Sequence, residues 1–192
     1  FLFDVNYNNS KQRVLSINIH AKASIEEPDS YNRRKAAAEG LYDELQSRYS
    51  DANIIFLGDY NDDVDDSIYN DRQTPYYDFV NDTTNYKVVT KPLSESGKKS
   101  TVGYSDMIDH ITISNELFDE YISGSAEVRT DVETLISNYE ETTSDHYPVW
   151  SHFDFNTYTS IEDDEKRGKG EIASRITLLP NYPNPFNPTT TI

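Results

Sequence analysis

The sequence predicts an α/β protein built on a mixed sheet, and three stretches predict it. Residues 11–20, KQRVLSINIH, alternate, so that Leu15, Ile17 and Ile19 share one face and Ser16, Asn18 and His20 the other, as in a strand. Over 31–49 the apolar positions Ala38, Leu41, Tyr42, Leu45 and Tyr49 fall at helical spacing. The unbroken apolar run from Ile54 to Leu57 ends on Gly58, the pattern of a strand buried on both faces with a tight exit turn. Strand, helix and strand in this order make a crossover unit within one sheet.

The other elements follow in chain order. Residues 1–5 read as the partner arm of a hairpin that turns through the Asn-rich 6–10. Asp29 and Ser30 are good caps for the helix, whose charged residues, Arg33, Arg34, Lys35 and Glu44 among them, are expected to face solvent. Residues 69–79 suggest a short helix interrupted near Pro75, and 81–99 a loop with a short strand around 86–90. Lys98, Lys99 and Ser100 form one of the few basic spots, and a solvated loop is expected there rather than a phosphate contact. A strand over 107–113, a short helix over 116–122 capped by Asn115 and a strand over 125–130 come next. A last strand over 146–155 closes the sheet, with Pro148 near its start, where proline is tolerated.

Composition bounds the function. A length of 192 residues suits one domain with a tail, and 35% hydrophobic residues with 15 Tyr and 8 Phe allow a globular body with a rather polar core. No cysteine is present, which excludes disulfides and thiolate metal sites. A net charge of −17 disfavours holding nucleic acid on a basic surface, although a cation recruited by acidic side chains supplies positive charge where chemistry occurs. No run of 18 apolar residues offers a membrane span. The chain opens on Phe1 in strand-like sequence and is expected to begin inside a domain.

Four short stretches carry the chemistry. NIIFLGDYNDDVDD (53–66) releases Asp59 and Asn61 at the carboxyl end of a buried strand, where ligands gather in open α/β sheets. MIDHITIS (107–114) and TSDHYPVW (143–150) each set an acid beside a histidine, and INIH ends on His20. Singly, each has a plainer reading: Asp-x-Asn after Gly is usually a turn, and a lone histidine is usually a satisfied strand-end side chain. In this order they resemble the carboxyl-terminal half of the endonuclease/exonuclease/phosphatase family, which has a deoxyribonuclease-like fold.

The resemblance implies part of a four-layer α/β/β/α sandwich with mixed, largely antiparallel sheets, over residues 1–155. It implies metal-dependent phosphodiester hydrolysis, most simply by a secreted endonuclease acting on DNA or RNA. A phosphatase or a lipid or sugar phosphodiesterase is the alternative, and a non-catalytic surface module the third reading. By resemblance Asp59 orients or deprotonates water, Asn61 fixes that water or donates to phosphate, and His146 acts as base or phosphate donor. Asp109 holds the other ring nitrogen of His146, and His20 is a second histidine at the phosphate. Asp145, Asp59 and Asn61 are the candidate ligands of Mg²⁺ or Mn²⁺, with Ca²⁺ as the further hard cation. The family's amino-terminal Asn, metal-binding Glu, Tyr and Arg have no match before His20, so a fragment carrying half the site is expected.

Residues 156–172 read as a charged, glycine-containing linker, followed by LLPNYPNPFNPTTTI (178–192). That end resembles the opening of the sorting domain of type IX secretion, and 173–192 are read as its truncated start. This implies a secreted or cell-surface bacterial protein, a monomer whose partners are a phosphoester substrate and the secretion machinery. Asp59, Asn61 and Asp63 hold the first, third and fifth places of a calcium loop, but Val64 stands where its glycine belongs and Asn70 where its bidentate Glu belongs. Residues 62–66 are therefore expected to be a solvated acidic loop, and His110 and His152 to be packing or surface residues.

Overall fold

A computed structural model describes residues 1–7, 10–24 and 27–155. The linker over 156–172 and the sorting segment over 173–192 lie outside the described residues. Strand β1 (Leu2–Tyr7) pairs antiparallel with β2 (Ser10–His20), the expected hairpin. Helix α1 (Pro28–Arg48) then carries the chain to β3 (Asn53–Asp59), which runs parallel to β2, so the crossover unit forms. The helix starts at Pro28, whose fixed φ suits the first helical position, and no side chain caps it.

Helix α2 (Tyr77–Asn81) begins only after Pro75; β4 (Tyr86–Val88) and α3 (Lys91–Glu95) follow. Strand β5 (Asp109–Ser114) pairs antiparallel with both β3 and β4, giving a mixed sheet ordered β1-β2-β3-β5-β4. Beyond it come a 3₁₀ turn (Asn115–Leu117) in place of the longer helix expected there, β6 (Glu127–Val128), and the short helices α4 (Val132–Leu135) and α5 (Tyr139–Thr142). Strand β7 (Val149–Trp150) does not close the main sheet, as expected of it, but pairs with β6 in a separate two-stranded sheet.

The two faces of the main sheet bury different cores. Ile54 and Phe56 of β3 meet Ala38 and Leu45 of α1 together with Tyr60, Tyr76 and Phe79. On the opposite face Val14, Ile111 and Ile113 pack with Leu117 and Tyr121, and Ile55 and Leu57 join Val149 and Phe153 there. The alternation read in β2 and the double-sided burial read in β3 follow from this layering.

Two expectations about charge fail. Arg34 is 1% exposed, on the core side of α1, and Asp62 and Asp63 are buried rather than solvated. Helical spacing of apolar residues does not reveal that one position on the inner face is filled by a paired cation.

Candidate active site

The sheet register places three of the candidate residues on one rung. His20 is the cross-strand partner of Asp59, and Asp59 is the partner of Asp109, so β2, β3 and β5 present these side chains in a row. Cross-strand partners point to the same face and stand close together. The face is the one opposite α1, since Ile55 and Leu57 alternate with Gly58 to set the direction of Asp59.

Gly58 makes the rung attainable. Its φ is 132°, and a Cβ there would lie 2.2 Å from the carbonyl oxygen of Ile19, so no other side chain fits the approach of β3 to β2. Two residues on, Asn61 adopts a left-handed φ of 51°, which asparagine tolerates. The turn closes as the Asn61 amide donates to Asp59 Oδ1 at 2.8 Å, and its Nδ2 donates to Asp59 Oδ2 at 2.9 Å and to the carbonyl of Ala21 at 3.0 Å. Both Nδ2 hydrogens are therefore committed, and Asn61 acts here as a brace on Asp59; its carbonyl oxygen is the group left for a ligand.

Asp59 Oδ2 is the meeting point. His20 Nε2 lies 3.4 Å from it and His146 Nε2 4.0 Å, while the His20 side chain is 78% exposed and that of Asp59 only 14%. His146 arrives from outside the main sheet. Its segment is bound to the 100–102 loop by a bridge to Thr101, by Tyr147 N donating to Ser100 O and by Val102 N donating to Asp145 O. Tyr139 Oη also donates to the His146 carbonyl, at 2.7 Å.

His146 Nδ1 donates to Asp109 Oδ2 at 2.8 Å, which leaves Nε2 directed at Asp59. Partial burial pulls the imidazole's pKa down, but the hydrogen bond to Asp109 and the charges of Asp109, Asp59 and Asp145 outweigh it, and the net shift is upward. Burial raises Asp109 from the usual carboxylate range against the opposing effect of its donors, Ser100 and His146.

Ser100 escaped the sequence reading, which took 98–100 for a solvated loop. It is fully buried: Oγ donates to Asp109 Oδ2 at 2.7 Å and accepts from the amides of Ile108 and Asp109 at 3.0 and 3.1 Å. Lys98 is exposed, as expected, whereas Lys99 donates to the Val102 carbonyl at 3.0 Å. Nothing in KKS marks its serine as different. His110, set aside as a packing residue, is buried with Nε2 donating to the Met107 carbonyl and Nδ1 accepting from Thr90 Oγ1. His152 is exposed.

The acidic loop is built into the protein. Asp62 pairs with Arg34 at 2.8 Å, and Asp63 accepts from the amides of Val64 and Met107 and from Ser94. Neither is available as a loosely held cation ligand. Among the described residues no three of His, Asp and Glu gather as a metal cage. Asp59, Asn61 and the exposed Asp145 are thus an incomplete donor set by themselves.

No family model matches the chain, nor does any curated protein. Solved structures do match. An AP endonuclease from Archaeoglobus fulgidus is 16% identical with a TM-score of 0.54, the match covering 80% of this chain and 65% of that one. The 3′ phosphatase NExo from Neisseria, bound to product DNA hairpin, is 17% identical with a TM-score of 0.49 over 80% and 65%. The human Nocturnin catalytic domain with bound sulfate anion is 18% identical with a TM-score of 0.47 over 77% and 48%. The chain thus spans 65% or less of the length of each of these three structures. The first likeness shows the fold: that of the endonuclease/exonuclease/phosphatase proteins, the deoxyribonuclease-like architecture expected from the motifs.

Proposed function

We propose that this chain forms part of a phosphoester-hydrolysing centre and that its substrate is a nucleic-acid phosphodiester. The observation that carries the reading is the convergence on one oxygen of Asp59 of His20, from the end of the adjacent strand, at 3.4 Å, and of His146, from the segment leading into β7, at 4.0 Å. Asp59, braced by Asn61, takes the proton of a water attacking phosphorus. His146, held charged by Asp109, donates to an oxygen of the phosphoryl group as negative charge grows there, and the exposed His20 does so from the other side. The ester oxygen leaves with its electron pair and takes a proton from solvent water, to which Asp59 afterwards gives up the proton it took. A divalent cation, Mg²⁺ or Mn²⁺, belongs to this proposal as an added component that would draw on Asp145, Asp59 and Asn61.

The test is hydrolysis by the purified full-length protein, with Mg²⁺ or with chelator, of plasmid DNA, RNA, model phosphodiesters and phosphomonoesters. H146A or D59A is expected to lower the rate by at least ~100-fold. Inertness toward the whole panel would sink the reading.

The net charge of −17 favours a second reading, a small or lipid phosphoester in place of a polyanion. A rate that falls steeply with salt points to nucleic acid, and a flat salt response to the smaller substrate. Export rests on the 178–192 sequence alone; deleting 173–192 should retain the protein inside the cell.

A further inference from the structure

We propose that Arg34 is the positioning residue of this centre: it locks the ends of β2 and β3 together and so sets His20 against Asp59. The inference rests on the phosphoesterase reading for its catalytic consequence, but its geometry stands apart. The guanidinium, from α1, reaches three acceptors on two segments. Nε donates to Asp62 Oδ2 at 2.8 Å, just past the Asp59–Asn61 turn, and Nη1 donates to the carbonyls of Lys22 at 2.8 Å and Ser24 at 3.1 Å, just past His20. Asp62 is in turn fixed by the amides of Asp63 and Ile68 and by Ser67 Oγ.

Two further facts give the arrangement its meaning. Ser24 sits at a φ of 103°, a strained value for a residue with a side chain, which persists only where surrounding contacts hold it. The Arg34 and Asp62 side chains are both 0% exposed, and a buried ion pair rarely stabilises more than apolar residues of equal volume would. What the pair supplies is a fixed distance between two loop ends. The planar fork meets these acceptors from two nitrogens at a fixed separation, whereas a lysine ammonium gathers its three donors on one atom. Beyond the β2–β3 ladder, which runs as far as the His20–Asp59 rung, these ends are tied by Ala21 N donating to Asp59 O and by Asn61 Nδ2 donating to Ala21 O, both of which depend on the 21–24 loop staying in place.

The experiment compares R34K and the double substitution R34M/D62N, the latter removing both charges, in the full-length protein. Each is expected to lower kcat by about 10- to 100-fold, the cost of a misplacement near 1 Å, with little change in KM. In the H20A background R34K should cost much less than in the wild type, because most of its effect passes through His20, whereas in the H146A background its loss should multiply. Hydrogen exchange of the Ala21 amide should accelerate in both variants. R34K with wild-type kcat, a full multiplicative loss on top of H20A, or unchanged Ala21 exchange would overturn the proposal. Should R34K not fold, R34M/D62N is read by the same criteria. If the wild-type protein hydrolyses nothing, the phosphoesterase reading fails, and the Ala21 exchange rate still decides whether Arg34 holds the loop.

Discussion

His146 Nδ1 lies 2.8 Å from Asp109 Oδ2 although the two residues come from separate parts of the fold, one on β5 and the other on the segment leading into β7. The bond keeps a proton on Nδ1, against Asp109, and turns Nε2 toward Asp59, and it raises the imidazole's pKa against the downward pull of burial. D109N removes the charge and keeps the shape. The His146 titration, followed by its ring proton resonances, should move to lower pH, and hydrolysis should fall on the alkaline side first. A group whose pKa is raised on folding stabilises below its unfolded pKa and loses that contribution as pH rises through the folded value. The stability difference between wild type and D109N should therefore shrink as pH climbs past neutrality.

Gly58 yields a steric prediction. A methyl group there would stand 2.2 Å from Ile19 O, at a φ of 132° that side chains rarely adopt. G58A must push β2 and β3 apart at the His20–Asp59 rung, and it should destabilise by roughly 2 kcal/mol or more while abolishing hydrolysis. Denaturant unfolding of G58A checks the first part and the phosphodiester assay the second.

Much of this was legible because it rests on short-range rules. Alternation in KQRVLSINIH fixed the face of His20, and the apolar run ending on Gly58 placed Asp59 at a strand end. What stayed hidden is long-range and polar. Arg34 reads as a surface charge until Asp62, 28 residues later, is seen to bury it, and Ser100 reads as loop until Asp109 claims it. Strand β7 follows the same logic: its sequence says strand, but pairing with β6 in place of the main sheet is a matter of tertiary geometry.

Ser100 is expected to matter through Asp109. S100A strips a donor from Asp109 and leaves the amides of Ile108 and Asp109 without an acceptor in a buried place. The cost should be about 1–3 kcal/mol in unfolding free energy. The His146 titration should shift less than in D109N, since the Asp109 charge survives; a shift equal to that of D109N would show that Ser100 and not the charge governs the imidazole.

His110 offers the clearest pH signature. It is buried, and its ring satisfies both nitrogens as the neutral tautomer, donating from Nε2 to Met107 O and accepting at Nδ1 from Thr90. Burial holds its pKa down at about 4, below the ordinary 6.5. A base depressed in this way adds stability that is complete above 6.5 and drains away as pH falls toward 4, because the unfolded chain accepts the proton first. Asp63, held up at about 6 by its own burial, works in the opposite sense over the same window, so the wild-type profile alone conceals both. H110Q can keep a donor and an acceptor in the same place but cannot titrate. The advantage of wild type over H110Q should therefore shrink by as much as roughly 3 kcal/mol between pH 6.5 and 4 and stay constant above. Denaturation midpoints of the two proteins, taken in parallel across that range, measure it; a constant gap would mean that His110 keeps its charge state unchanged on folding.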